Sequence, residues 1–258
     1  MSAGRWSDLL PRLLSAIVML VVGAVEIWLG GIWFAVLIAA ASGGMVWELV
    51  RMLRPDEPAQ AMQLGVMSAV AVLVATQLPP VWIGPVLVSP VLSGLFQMPA
   101  AARVRYGLFS LWVLCAGFAF VWLRNEMGLA WILWVIGVVV VTDIAGYFAG
   151  KIIGGPKLWP RVSPKKTWSG SSAGWVAAAV TGGLFAASLG LAPLVAVLLS
   201  VATSMASQAG DIAESALKRQ VGVKDSSALI PGHGGLLDRF DGMLGAAAAF
   251  LIYVTFLG

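Results

Sequence analysis

Apolar runs long enough to cross a bilayer recur along almost the whole chain, and no other feature limits its fold so strongly. Hydrocarbon offers no water to the backbone, so each run must satisfy its own amides and carbonyls as a helix. A transmembrane barrel would instead show short segments of alternating polarity. Hydropathy places nine candidate spans, at 12–30, 32–53, 61–78, 81–98, 105–123, 129–150, 170–190, 191–210 and 242–257. Pro85 and Pro90 interrupt the fourth, and the last is short. The eighth is expected to run on as a helix past the membrane to about residue 220. Only 11% of the residues are charged, against about 25% in soluble domains. The expected class is an all-α, polytopic membrane protein with a cytoplasmic polar site. Five N-terminal spans occupy 1–128, and a C-terminal region over 129–258 carries polar loops at 151–169 and 211–241. Arg5 and Arg12 precede the first run, but further spans follow it, so it reads as an uncleaved helix. Cys115 is the single cysteine and lies in an apolar run, which leaves no disulfide framework and no cysteine metal site.

Basic residues give the orientation. With the N-terminus inside, all sixteen Lys and Arg except Arg124 fall on the cytoplasmic side. Both large polar loops then face the cytoplasm, beside anionic headgroups and soluble phosphates. Arg51, Arg54, Arg103 and Arg105 are explained as topology determinants alone. The net charge of +4 is modest, and no nucleic-acid partner is expected.

The stretch 210–242 is unlike its surroundings. It holds five of the twelve acidic residues (Asp211, Glu214, Asp225, Asp238, Asp241) and the only histidine, His233. Asp211, Glu214 or Ser215, and Lys218 form one stripe on a helix leaving the eighth span. Pro231-Gly232-His233-Gly234-Gly235 lets the backbone adopt unusual conformations, and successive amides in such a loop form an anion-binding nest. Asp238 and Asp241 follow. A hard cation such as Mg²⁺ takes one or two carboxylates together with substrate phosphates and water, and Asp211 and Asp238 are spaced for a helix–loop–helix return to one ion. Asp143 sits near the cytoplasmic end of the sixth span, with Gly146 and Gly150 on its face allowing close helix approach. The loop Ser163-Pro164-Lys165-Lys166-Thr167-Trp168-Ser169-Gly170 precedes the seventh span, and lysines and hydroxyls at a helix N-terminus suit phosphate. Glu26 and Glu48 are read as structural, Glu48 by pairing with Arg51.

These residues carry a resemblance. Ser215-Ala216-Leu217-Lys218-Arg219, then Lys224-Asp225, then Pro231-Gly232-His233-Gly234-Gly235-Leu236-Leu237-Asp238-Arg239-Phe240-Asp241 resembles the signature of the CDP-diacylglycerol synthase (phosphatidate cytidylyltransferase) family. Asp143–Gly150 and Ser163–Gly170 resemble its two upstream motifs, in the same order. One departure is Ser169, where the family is expected to carry glutamate after the tryptophan.

The resemblance implies transfer of a cytidylyl group from CTP to phosphatidate, giving CDP-diacylglycerol and pyrophosphate. It implies Mg²⁺ on Asp211 and Asp238, with Asp143 and Asp241 as further candidates, and it extends to a monovalent cation such as K⁺ at the same centre. It also implies a homodimer in a bacterial-type cytoplasmic (inner) membrane. The residue chemistry fits. A lipid phosphate is already anionic, so positioning and charge neutralisation are the main tasks. Lys165, Lys166, Lys218, Arg219, Lys224 and Arg239 are candidates for phosphate contacts. Ser163, Thr167, Ser215 and His233 are candidates for orienting oxygens. Asp143, Lys166, Lys218, Arg219, His233, Asp238 and Arg239 form the candidate catalytic set. A CDP-alcohol phosphotransferase is excluded, because no acidic residue follows Asp241-Gly242. An ion-coupled transporter would place charge near the midplane of broken spans, whereas here it gathers at one face.

Overall fold

The computed structural model describes residues 9–256. Arg5, used in the charge argument, lies outside the described residues. The described chain forms α1 (Leu9–Leu29), α2 (Gly31–Leu53), α3 (Pro58–Ala75), α4 (Pro80–Gln97), α5 (Ala100–Trp122), α6 (Leu129–Ile152), β1 (Lys157–Trp159), β2 (Ser163–Thr167), α7 (Trp168–Leu189), α8 (Pro193–Val221) and α9 (Leu237–Phe256). Among the described residues eight helices, α1 to α8, are long and apolar enough to cross a membrane. The all-α, multi-pass expectation holds. One addition is the antiparallel β1–β2 hairpin, which pairs Lys157 with Thr167 and Trp159 with Ser163. The ninth expected span, 242–257, falls in α9, which opens on Asp238, Arg239 and Asp241 and is not among those eight.

The chain divides into two compact units. One is Met1–Asn125 with Val221–Phe240; the other is Glu126–Gln220 with Asp241–Gly258. The signature loop before α9 therefore groups with the N-terminal helices.

In the first unit, α2 packs closely on α3. A Cβ on Gly43 would lie 2.6 Å from the Gly65 carbonyl oxygen, so a side chain there would force the helices apart. Ala39, Val72, Ala75, Leu87, Val91 and Leu114 form a buried cluster across α2 to α5. The prolines do not break α4, which runs through both. Pro90 leaves the Val86 carbonyl without an amide donor, and Ser89 Oγ donates to it at 2.9 Å. Arg124, the basic residue on the far side of the charge count, has a local structural task. Its guanidinium donates to the Ile27 and Trp28 carbonyls at 2.6 and 2.9 Å, capping the end of α1.

In the second unit, α6 and α7 meet through small residues. A Cβ on Gly170 would lie 2.6 Å from the Gly146 carbonyl oxygen. Hydroxyls hold α6 to α8: Trp134 Nε1 donates to Ser200 Oγ, and Thr142 Oγ1 to Ser204 Oγ, both at 2.8 Å. In a bilayer such pairs satisfy these four polar side chains between the helices.

Candidate active site

The close contact of α6 and α7 sets the floor of a cavity of about 220 Å³ within the second unit. Asp143, Gly146 and Tyr147 border it from α6, Lys165, Lys166 and Thr167 from the hairpin, Gly170 and Ser171 from α7, and Gln208 and Asp211 from α8. The hairpin aims the lysines. Thr167 ends β2 and caps α7, its Oγ1 accepting from Gly170 N at 3.1 Å. Lys166 Nζ reaches α8, lying 2.6 Å from Asp211 Oδ2 and donating to the Gln208 carbonyl at 3.3 Å. Gln208 is itself fixed: its amide nitrogen donates to Ser171 O, and Trp175 Nε1 donates to its Oε1. Sequence reasoning missed Gln208. Its signal was an amide side chain inside an apolar run, three residues before Asp211.

Other residues of the same unit divide by partner. Ser215 Oγ donates to Asp211 Oδ1 at 3.3 Å. Lys218, expected at phosphate, lies 2.6 Å from the buried Glu214 carboxylate. Lys165 and Arg219 are exposed, and Ser163 is half-buried in β2. Asp241 is drawn into this electrostatic group: burial, then the neighbouring Asp211 carboxylate, pushes its carboxyl up, while the Gly242 amide and Lys218 pull it back. Ser169, in the position where acidity was expected, donates to the Gly154 carbonyl and sits 3.1 Å from Thr167 Oγ1. It ties the first turn of α7 to the segment that joins α6 to β1.

The remaining candidates belong to the loop of the first unit. Gly232 and Gly234 have φ of 75° and 82°, the left-handed region that favours glycine. His233 Nδ1 lies 2.9 Å from Ser15 Oγ on α1, and Arg239 Nε donates to the His233 carbonyl at 2.8 Å. Lys224 and Arg239 are exposed. Asp238 Oδ2 accepts from Ser226 N, Ser226 Oγ and Gly235 N, each at 2.8 Å. The Leu236 and Leu237 amides donate to Glu48, each at 2.8 Å. The amides of Gly235, Leu236 and Leu237, at the end of the glycine loop and the start of α9, are thus taken by carboxylates of the protein itself. This also corrects the expected pairing of Glu48 with Arg51: Arg51 Nη1 donates instead to the Pro55 carbonyl at 3.2 Å.

Among the described residues no three His, Cys, Asp or Glu side chains form a metal-holding group. The cavity does offer Asp143 and Asp211, two hard oxygen donors. That matches a cation completing its shell with phosphate oxygens and water, as Mg²⁺ does, and not a closed protein cage.

Comparison with known proteins decides the family. Residues 10–257 match the family described as the cytidylyltransferase family. The chain belongs to that family. A phosphatidate cytidylyltransferase of Brucella melitensis is 53% identical over 135 residues, covering 50% of this chain and 48% of the relative. One from Bacillus subtilis is 43% identical over 129 residues, 48% of each chain. One from Mycobacterium tuberculosis is 36% identical over 151 residues, 57% of this chain and 46% of the relative. The chain thus spans about half the length of the curated relatives it matches.

Proposed function

We propose that the chain transfers a cytidylyl group from CTP to phosphatidate, releasing pyrophosphate and forming CDP-diacylglycerol. The supporting observation is the cavity where Lys166 and Asp211 meet at 2.6 Å, in a member of the cytidylyltransferase family. A phosphate oxygen of the lipid attacks the α-phosphorus of CTP, and the bond to the β-phosphate oxygen breaks. The lipid phosphate is already ionised, so no strong base is needed. Lys166 and Lys165 neutralise phosphate charge, and the Thr167-capped start of α7 adds its positive dipole end. Gln208 and Ser171 hold the wall against which the lysines work.

Mg²⁺ is the proposed cofactor, on Asp211 with Asp143, with K⁺ as a second cation. When bound it would screen the triphosphate and the leaving pyrophosphate. Asp238, which the resemblance also assigns to metal, is tied into its own loop through Oδ2. The proposed setting is a homodimer in a bacterial-type cytoplasmic membrane, with the cavity on the cytoplasmic side. That places the site where a two-chain lipid and a soluble nucleotide meet. The test uses purified full chain in detergent with phosphatidate, Mg²⁺ and labelled CTP. Label should pass into the lipid fraction. No labelled lipid under any cation condition would sink the reading.

A further inference from the structure

We propose that Glu48, on α2, is a positioning residue for the signature loop: its carboxylate caps α9 and clamps the loop that carries Asp238. Glu48 is fully buried. Its Oε1 accepts from Ser227 Oγ at 2.6 Å and Leu236 N at 2.8 Å. Its Oε2 accepts from Ser226 Oγ at 3.2 Å and Leu237 N at 2.8 Å. Both sides of the carboxylate are therefore occupied, all by donors from 226–237.

The chemistry favours an anion. Leu236 and Leu237 carry amides that α9 cannot satisfy internally at its N-terminus. The positive end of the helix dipole and the neutral donors offset the desolvation of this buried carboxylate, which makes no ion pair among the described residues. Gly235 shows how tightly this is built: a Cβ there would collide with Ser226 Oγ and the Glu48 carboxylate. Ser226 Oγ contacts both Glu48 and Asp238, so the two acids share a donor and hold one loop conformation. Arg239 and His233 are joined in the same loop by the Arg239 Nε bond to the His233 carbonyl. Fixing the first turn of α9 thus fixes the residues the signature supplies.

The turnover arm of the test rests on the transferase reading above; the exchange arm does not. Full-length Glu48→Gln and Glu48→Asp are compared with wild type in detergent, by amide hydrogen exchange and by turnover per folded molecule. Glutamine keeps the shape but turns an NH₂ group toward backbone N–H donors. Aspartate keeps the charge with a shorter reach. Losing one or two hydrogen bonds to a charged group should speed exchange at Leu236 and Leu237 by about 10- to 100-fold in Glu48→Gln, with turnover falling on the same scale. Glu48→Asp should retain more turnover than Glu48→Gln. A packing role predicts the reverse order, and that order, or unchanged exchange at Leu236 and Leu237, overturns the proposal. Ser227→Ala removes one donor and leaves the carboxylate, so it serves if Glu48→Gln does not fold. It should raise exchange at Leu236 and lower turnover several-fold; wild-type behaviour in both would overturn the clamp. If wild type makes no lipid product, the transferase reading fails and exchange alone judges Glu48.

Discussion

Lys166→Met is the most informative single change in the cavity. Methionine preserves most of the stem and removes the charge that lies 2.6 Å from Asp211 Oδ2. Two unit charges at that distance attract by about 6 kcal/mol at an effective dielectric of 20 and by about 1.6 kcal/mol in water. Desolvation offsets much of this. The lysine side chain is 21% exposed and the aspartate 33%, between the surface case, worth up to about 1 kcal/mol, and the buried case, about 3–5 kcal/mol on breaking. Lys166→Met should therefore destabilise the protein by about 2 kcal/mol. Turnover should fall much further. Removing one pre-organised donor to developing oxyanion charge commonly lowers rates by about 10²- to 10³-fold. Labelled-CTP turnover per folded molecule measures the second quantity and thermal unfolding in detergent the first. The double variant Lys166→Met/Asp211→Asn separates the roles: neutralising both partners should restore stability without restoring turnover. Turnover within about threefold of wild type in folded Lys166→Met would refute phosphate neutralisation by this lysine.

Asp211→Asn should abolish turnover and lose the response to added Mg²⁺ while the protein remains folded; near-normal activity would remove Asp211 from the cation site. Gly170→Val should yield little folded protein, because even a Cβ would lie 2.6 Å from the Gly146 carbonyl oxygen and overpacking costs about 1–3 kcal/mol or more; recovery of wild-type thermal stability would show that α6 and α7 can separate. Orientation is checked with Lys157→Cys in a Cys115→Ala background. A membrane-impermeant thiol reagent should label inside-out vesicles and spare intact spheroplasts, and the opposite pattern would invert the topology.

The spans were legible because hydrocarbon imposes one local rule on every run, and α1 to α8 follow the hydropathy with small shifts at their ends. The candidate residues were legible because charge is scarce in this chain and gathers in few places. Less visible were the partners. The hairpin of 157–167 was missed as a structure, since Ser163-Pro164-Lys165-Lys166-Thr167 has no apolar alternation to mark a strand. Lys218 was legible both as a phosphate candidate and as the i,i+4 partner of Glu214, and the pair with Glu214 forms within α8. Glu48 was assigned to a near neighbour, whereas its partners reach 189 positions along the chain.

By itself, then, the sequence determined a helical, multi-pass membrane protein and the residue types from which a site could be made. Those follow from solvation and from periodicity, which act over a single span. Tertiary structure decided which groups distant in sequence meet: Lys166 with Asp211, and Glu48 with the amides of the signature loop. Electrostatic and hydrogen-bond energies depend on separations of a few ångströms, and only the packing of helices distant in sequence sets those separations.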